Sequence, residues 1–326
     1  MLALLAPGQG AQTPGMLAPW LELPGATARV RWLSALTGLD LLTLGTTAGA
    51  EEIRDTAVAQ PLIVTAGLLA AAELPLEDVG VTAGHSVGEL TAAAVAGVFS
   101  PEIAVALAAF RGRAMGEACA RADTGMSAVL GGDPAEVIAA IERYGLTPAN
   151  RNAAGQTVAA GATADLKRLA EDPPAGARVR PLAVAGAFHT EYMATAQAAL
   201  AELADGITTS DPGPLLLSNA DGAAVSTGAE VLKRLVGQLT SPVRWDLCQS
   251  TLQDLRVNAL IELPPAGTLT GLAKRELPDI PRFAVKSPED LAAARQFIAD
   301  AAATGRVTVN PETNSTPHNN AMEATR

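Results

Sequence analysis

The sequence predicts an α/β fold, a mostly parallel sheet with helices on both faces, interrupted by an inserted βαββαβ unit. Three observations carry that expectation. Strand-like and helix-like segments alternate along most of the chain, as they do where parallel strands are joined through crossover helices. A Gly-x-Ser-x-Gly run, Gly84-His85-Ser86-Val87-Gly88, stands between an apolar strand-like segment and a helix-like one. Between residues 125 and 186 the rhythm changes, with two strands placed back to back between two helices.

Residues 1–6 are apolar and read as the first strand, running into the loop Pro7-Gly8-Gln9-Gly10-Ala11-Gln12. No Gly-Lys-Ser follows, which argues against a nucleotide P-loop. Residues 17–44 are loosely helical with proline breaks, and Gln60-Pro61 opens an apolar helix over 62–72. A strand over 79–83 feeds Ser86 and a helix over 89–96 leaves it. The next helix, 101–121, places Arg111 in its apolar stripe with Ala104, Leu107, Met115 and Ala118. A buried guanidinium needs a carboxylate, either from the protein or from a ligand, and periodicity does not choose between them. Arg113 lies i, i+4 from Glu117 and reads as a surface pair.

Strands over 126–130, 148–153, 156–160 and 178–184, with helices over 134–144 and 164–171, give the βαββαβ order of a ferredoxin-like unit at 125–186. A helix to 204, a strand over 215–218, a helix over 229–239, a helix after Ser241-Pro242 to 255, a strand over 258–263 and a helix over 269–275 return to the α/β rhythm. The large domain is thus 1–124 together with 187–303, and a polar stretch over 304–326 reads as a disordered tail.

Composition narrows the partners. The chain has 326 residues, 48% of them hydrophobic and 17% charged, enough for a sizeable core. A net charge of -11 argues against nucleic acid and against an anionic membrane as partners. The N-terminal apolar run is too short for a signal peptide, and the longest apolar stretch, 62–72, falls short of the roughly 20 residues of a spanning helix. A cytoplasmic monomer is expected. Cys119 and Cys248 are isolated in helix-like segments, so buried reduced thiols are expected rather than a disulfide or a metal site.

The Gly-x-Ser-x-Gly run describes a nucleophile elbow, a tight turn that lifts a serine hydroxyl above the sheet for acyl transfer. The plainer reading is an ordinary strand-to-helix turn. Serine needs a base, and the chain has three histidines. His85 adjoins Ser86 and should turn away from its hydroxyl, and His318 lies in the polar tail. His189 remains, against the plainer reading of a core histidine satisfied by hydrogen bonds.

Taken with this ordered set of motifs, the chain resembles the malonyl-CoA:acyl carrier protein transacylase family. The resemblance rests on PGQGAQ at 7–12, Gln60-Pro61, GHSVGE at 84–89, FRGRAM at 110–115, NRNAAGQ at 150–156, AFH at 187–189, GQLTSPVRW at 237–245 and GTLTGLAKR at 267–275. It implies a hydrolase-like sheet with a ferredoxin-like insertion, and malonyl transfer from malonyl-CoA to the 4'-phosphopantetheine thiol of acyl carrier protein, with no cofactor and no metal. It also implies Ser86 as nucleophile, His189 as base, the backbone amides of Gln9 and Val87 as oxyanion hole, and Arg111 as clamp for the malonyl carboxylate. The Gln238 carbonyl would orient His189, Met115 and Asn152 would line the acyl pocket, and Phe188 occupies the position before the histidine where a Phe accompanies malonyl over methylmalonyl preference. The loop Pro264-Pro265-Ala266 departs from the family's usual Gly-Pro-Gly.

Two other readings stay open on the residues. A serine esterase or thioesterase shares the elbow but calls for an acidic triad partner, and Asp123, Asp133 and Asp165 fall between nucleophile and histidine. A non-catalytic carrier-protein docking module would need neither serine nor base. Lys274-Arg275 and Arg244 are candidate anchors for an acidic partner, against the plainer reading of solvated surface.

Overall fold

The computed structural model describes residues 1–307. Its strands, in chain order, are β1 (Leu2–Ala6), β2 (Val79–Gly84), β3 (Thr124–Gly131), β4 (Thr147–Ala153), β5 (Gln156–Ala162), β6 (Ala177–Pro181), β7 (Leu215–Leu217), β8 (Ala224–Val225), β9 (Ala259–Glu262) and β10 (Arg282–Ala284). Six form one sheet in the order β10-β9-β1-β2-β7-β8, parallel at every pairing except β7 with β8. The other four form an antiparallel sheet, β4-β5-β3-β6, which is the ferredoxin-like order.

Strand β1 shows why the larger sheet is covered on both faces. Leu2 and Leu4 enter one core with Leu62, Leu90 and Leu107, whereas Ala3 and Leu5 enter another with Trp245, Leu252 and Leu269. Alternate side chains of a strand point to opposite faces, so a strand apolar throughout must be buried on both. A third core, with Val129, Ile141 and Leu169, belongs to the smaller sheet and its two helices. The sheets are joined at β4, where Arg151 N donates to Val243 O (2.9 Å) and Val243 N to Ala149 O (2.8 Å).

Several elements differ from the sequence expectation. The helix expected over 62–72 is Thr56–Ala71, with Asp55 accepting from Ala57 N at its start and Pro61 inside it. Pro61 has no N–H for the carbonyl one turn earlier, but the helix is buried along its length and packing holds it. β6 stops at Pro181, which cannot donate to the ladder; Leu182 N still donates to Met126 O of β3 (2.9 Å), and Ala183 and Val184 leave the sheet. β8, β10 and a helix Leu291–Val307 were not anticipated. The polar tail expected from residue 304 therefore begins inside that helix, and its remainder, with His318, lies outside the described residues. Arg113 and Glu117 are both exposed, but the Arg113 guanidinium lies over the Phe110 ring, 5.8 Å from its centroid, instead of pairing with Glu117.

Where the loop departs from Gly-Pro-Gly, the buried Glu262 carboxylate at the end of β9 accepts from Gly267 N (3.0 Å), Leu269 N (2.9 Å) and Thr270 N (2.8 Å). Three otherwise orphaned amides at the start of helix Thr268–Glu276 are satisfied that way. Cys119 and Cys248 are buried free thiols, and burial raises Cys119 to about 11. No helix among the described residues is long and apolar enough to cross a membrane.

Candidate active site

Ser86 sits between β2 and helix Gly88–Val95 with φ 52°, in the left-handed region that a non-glycine residue adopts only when its surroundings force it. The neighbouring glycines make the turn feasible. A Cβ on Gly84 would overlap the Gly88 backbone, and one on Gly88 would overlap the Ala6 carbonyl. The Asn219 side chain completes the elbow, accepting from Ser86 N (2.7 Å) and donating to Gly84 O (2.7 Å).

The Ser86 hydroxyl donates to His189 Nε2 at 2.8 Å, and His189 Nδ1 donates to the Gln238 carbonyl at 2.8 Å. A carbonyl can only accept, which fixes the tautomer with the proton on Nδ1 and Nε2 open to the serine. Gln238 can offer that carbonyl because helix Gly228–Gly237 tightens there into a 3-10 turn, Gln238–Thr240. Burial, reinforced by the Arg111 cation, pushes the His189 imidazole down to about 3, so it is neutral and free to take a proton. Asp123 accepts from Thr163, Asp133 caps the amides of Ala135 and Glu136, and Asp165 pairs with Arg168. None of the three reaches His189, whose Nδ1 is already engaged.

Arg111 is 3% exposed, and none of the ion pairs among the described residues includes it. Its hydrogen bonds go instead to Gln60 Oε1 (2.7 Å), Gln238 Oε1 (2.8 Å) and Ser86 Oγ (3.3 Å). The internal salt bridge left open by the sequence is thus absent among these residues. Burial lowers its pKa to about 10, with Glu89 opposing, so it remains charged at neutral pH. Three of the five guanidinium N–H donors are engaged, which leaves capacity for an incoming carboxylate.

Glu89 is an acidic group whose charge acts on this cation, linked to it through Gln238. Its carboxylate accepts from Asn219 N (3.2 Å) and from Gln238 Nε2 (2.5 Å). Burial raises its pKa to about 7, against the hydrogen bonds from Asn219 and Gln238 that favour the charged form.

Ser86, His189, Arg111, Met115, Asn152, Phe188 and Gln9 all line one cavity of about 320 Å³, with Met126, Ala128, Asn150 and Val158 of the four-stranded sheet in its wall. Asn152 also accepts from His85 Nε2 (2.8 Å), and His85 packs edge-on to Trp245 at 5.7 Å, away from the serine hydroxyl. Among the described residues, the amides of Gln9 and Val87 donate no hydrogen bond to the protein. Lys274 and Arg275 are exposed, while Arg244 is engaged by Asp246 at 2.8 Å. No group of three or more His, Cys, Asp or Glu able to hold a metal occurs among the described residues.

Sequence reading did not single out Gln60 as an Arg111 partner, nor Glu89 or Asn219 as site residues. Each carried a signal, being a polar residue in apolar surroundings: Gln60 and Glu89 within apolar helices, and Asn219 just beyond the strand Leu215–Leu217.

Comparison with known proteins follows the same lines. Residues 4–287 match the family model described as the acyl transferase domain. The Malonyl CoA-acyl carrier protein transacylase of Mycobacterium bovis is 60% identical over 297 residues, covering 89% of this chain and 98% of that protein. Its counterpart of the same name from Haemophilus influenzae is 34% identical over 307 residues, covering 91% and 98%. The crystal structure of MCAT from Mycobacterium tuberculosis superposes with a TM-score of 0.88 at 58% identity, over 90% of this chain and 99% of that one. A holo complex of a type II PKS acyl-carrier protein with its malonyl-transacylase gives 0.85 at 30% identity, over 90% and 99%.

Proposed function

The chain belongs to the acyl transferase domain family, and from that premise we propose that it moves malonyl from malonyl-CoA to the 4'-phosphopantetheine thiol of acyl carrier protein, through a malonyl-Ser86 intermediate. The product is an extender unit for fatty acid or polyketide synthesis. One observation carries the reading: the hydrogen-bonded chain Ser86–His189–Gln238 lies beside a buried arginine that has no carboxylate in an ion pair with it among the described residues.

In the first step Ser86 Oγ attacks the thioester carbonyl while its proton passes to His189 Nε2. The free amides of Gln9 and Val87 receive the oxyanion. The C–S bond then breaks and the proton returns from His189 to the departing CoA sulfur. In the second step the carrier thiol gives its proton to His189, attacks the malonyl ester, and Ser86 recovers its proton as it leaves. The Gln238 carbonyl suffices in place of a triad carboxylate because a thiol of pKa about 8.5 leaves with little acid assistance. Arg111 holds the malonyl carboxylate, with Met115, Asn152 and Phe188 around the acyl group.

We take residues 1–124 and 187–303 as the catalytic body and 125–186 as the smaller unit closing the cavity. The enzyme is proposed to work as a cytoplasmic monomer without a cofactor or metal. A serine hydrolase is the weaker reading, since Asp123, Asp133 and Asp165 are engaged elsewhere. The test is intact-mass measurement after adding malonyl-CoA, then carrier protein. An adduct on Ser86 that discharges to the carrier supports transfer; release of free malonate supports hydrolysis; no adduct leaves a docking module.

A further inference from the structure

Gln238 touches the reaction twice, through its backbone carbonyl on His189 and through its side-chain oxygen on Arg111. An amide side chain has two nearly isosteric ends, and only the oxygen end can face a guanidinium, which has donors alone. Something must therefore decide which way this amide points. Its nitrogen end meets three acceptors: the Ser86 carbonyl at 3.1 Å, Asn219 Oδ1 at 3.2 Å and Glu89 Oε2 at 2.5 Å. The Asn219 amide is itself held, because its nitrogen donates to Gly84 O and its oxygen accepts from Ser86 N. Glu89 is the one acidic member of the three, and it also receives Asn219 N.

We propose that buried Glu89 is a positioning residue for malonyl recognition: in its ionised form it accepts only, and so helps keep the Gln238 amide turned with its oxygen toward Arg111. This inference rests on the malonyl-transfer reading above. It follows that cation, amide dipole and anion alternate in line from Arg111 through Gln238 to Glu89, which balances the guanidinium before substrate arrives without occupying its free donors. Glutamine at position 89 keeps the shape but presents an NH2 either to Asn219 N–H or to Gln238 Nε2, where donor would meet donor. The Gln238 amide then keeps the Ser86 carbonyl and Asn219 Oδ1 as acceptors but loses its acidic one, so its oxygen is held less firmly toward Arg111, and the recognition of a carboxylate suffers more than the chemistry at Ser86.

The experiment compares rates of acyl-enzyme formation from malonyl-CoA and acetyl-CoA, by rapid quench and intact mass, in the parent, Glu89→Gln, Gln238→Met and the double variant. Expected are a malonyl-to-acetyl ratio lower by about tenfold in Glu89→Gln, acetyl loading changed by less than about threefold, and a double variant no worse than Gln238→Met alone. Equal loss for both acyl groups, an unchanged ratio, or a double variant showing the full product of the two single losses overturns the role. Should Glu89→Gln fail to fold, Gln238→Met decides alone, and a ratio within about twofold of the parent's overturns the proposal. A parent that takes no malonyl adduct overturns the transfer reading and this role together; a parent that does, with an unchanged ratio in Glu89→Gln, overturns this role alone.

Discussion

Replacing Arg111 with alanine tests the origin of acyl selectivity. The guanidinium is 3% exposed and has no ion-pair partner among the described residues, so a malonyl carboxylate would be the first anion to meet it directly. Charge-assisted hydrogen bonds contribute about 1.5–3 kcal/mol each, and two such bonds, less the cost of desolvating the malonyl carboxylate, leave about 2–4 kcal/mol. At about 1.4 kcal/mol per tenfold, Arg111→Ala should lower malonyl loading relative to acetyl by about 30-fold to 1000-fold. The substitution also leaves Gln60 Oε1 and Gln238 Oε1 without their donor, at about 1–3 kcal/mol each, offset in part by removing a buried cation. The unfolding midpoint must accordingly be measured beside the rates. Single-turnover acylation with malonyl-CoA and acetyl-CoA gives the ratio directly. A folded Arg111→Ala protein that still prefers malonyl by the parent's margin refutes the clamp.

Other outcomes follow from the same geometry. His189→Ala removes the base within hydrogen-bond distance of Ser86 Oγ among the described residues, and acylation should slow by about 10²–10⁴-fold with the fold intact; equal rates would show that another group takes the proton. Gly84→Ala drives a Cβ into the Gly88 backbone and should cost about 3 kcal/mol or more, seen as a lowered denaturant midpoint; a neutral result would mean the elbow relaxes freely. For pH, His189 lies at about 3 when folded and at 6.5 in its ordinary state, so the unfolded chain takes the proton first and stability is lost as pH falls from 6.5 toward 3. Glu89 acts in the opposite sense: its contribution is full below 4.5 and lost as pH rises through about 7. Unfolding at pH 6.5 and pH 4 in the parent and His189→Gln isolates the imidazole, and a pH-independent difference between the two proteins contradicts its neutral burial.

Much of this architecture was legible before any coordinates. Local chemistry determined the nucleophile, because only a turn flanked by Gly84 and Gly88 tolerates Ser86 in its strained backbone conformation, and those glycines are written in order along the chain. The apolar stripe of helix Pro101–Cys119 likewise marked Arg111 as buried. The start of helix Thr56–Ala71 was misread because Pro61 looked like a helix opening, whereas burial against neighbouring helices outweighs the one hydrogen bond it forfeits. What periodicity could not decide was who meets Arg111, since its partners Gln60 and Gln238 lie far from it in the chain and are brought together only by the packing of helices on one face of the sheet. Glu89 and Asn219 were hidden for the same reason: a polar residue in an apolar segment announces that it needs partners, but hydrogen bonds act over about 3 Å and their partners are set by the fold, not by nearness in sequence.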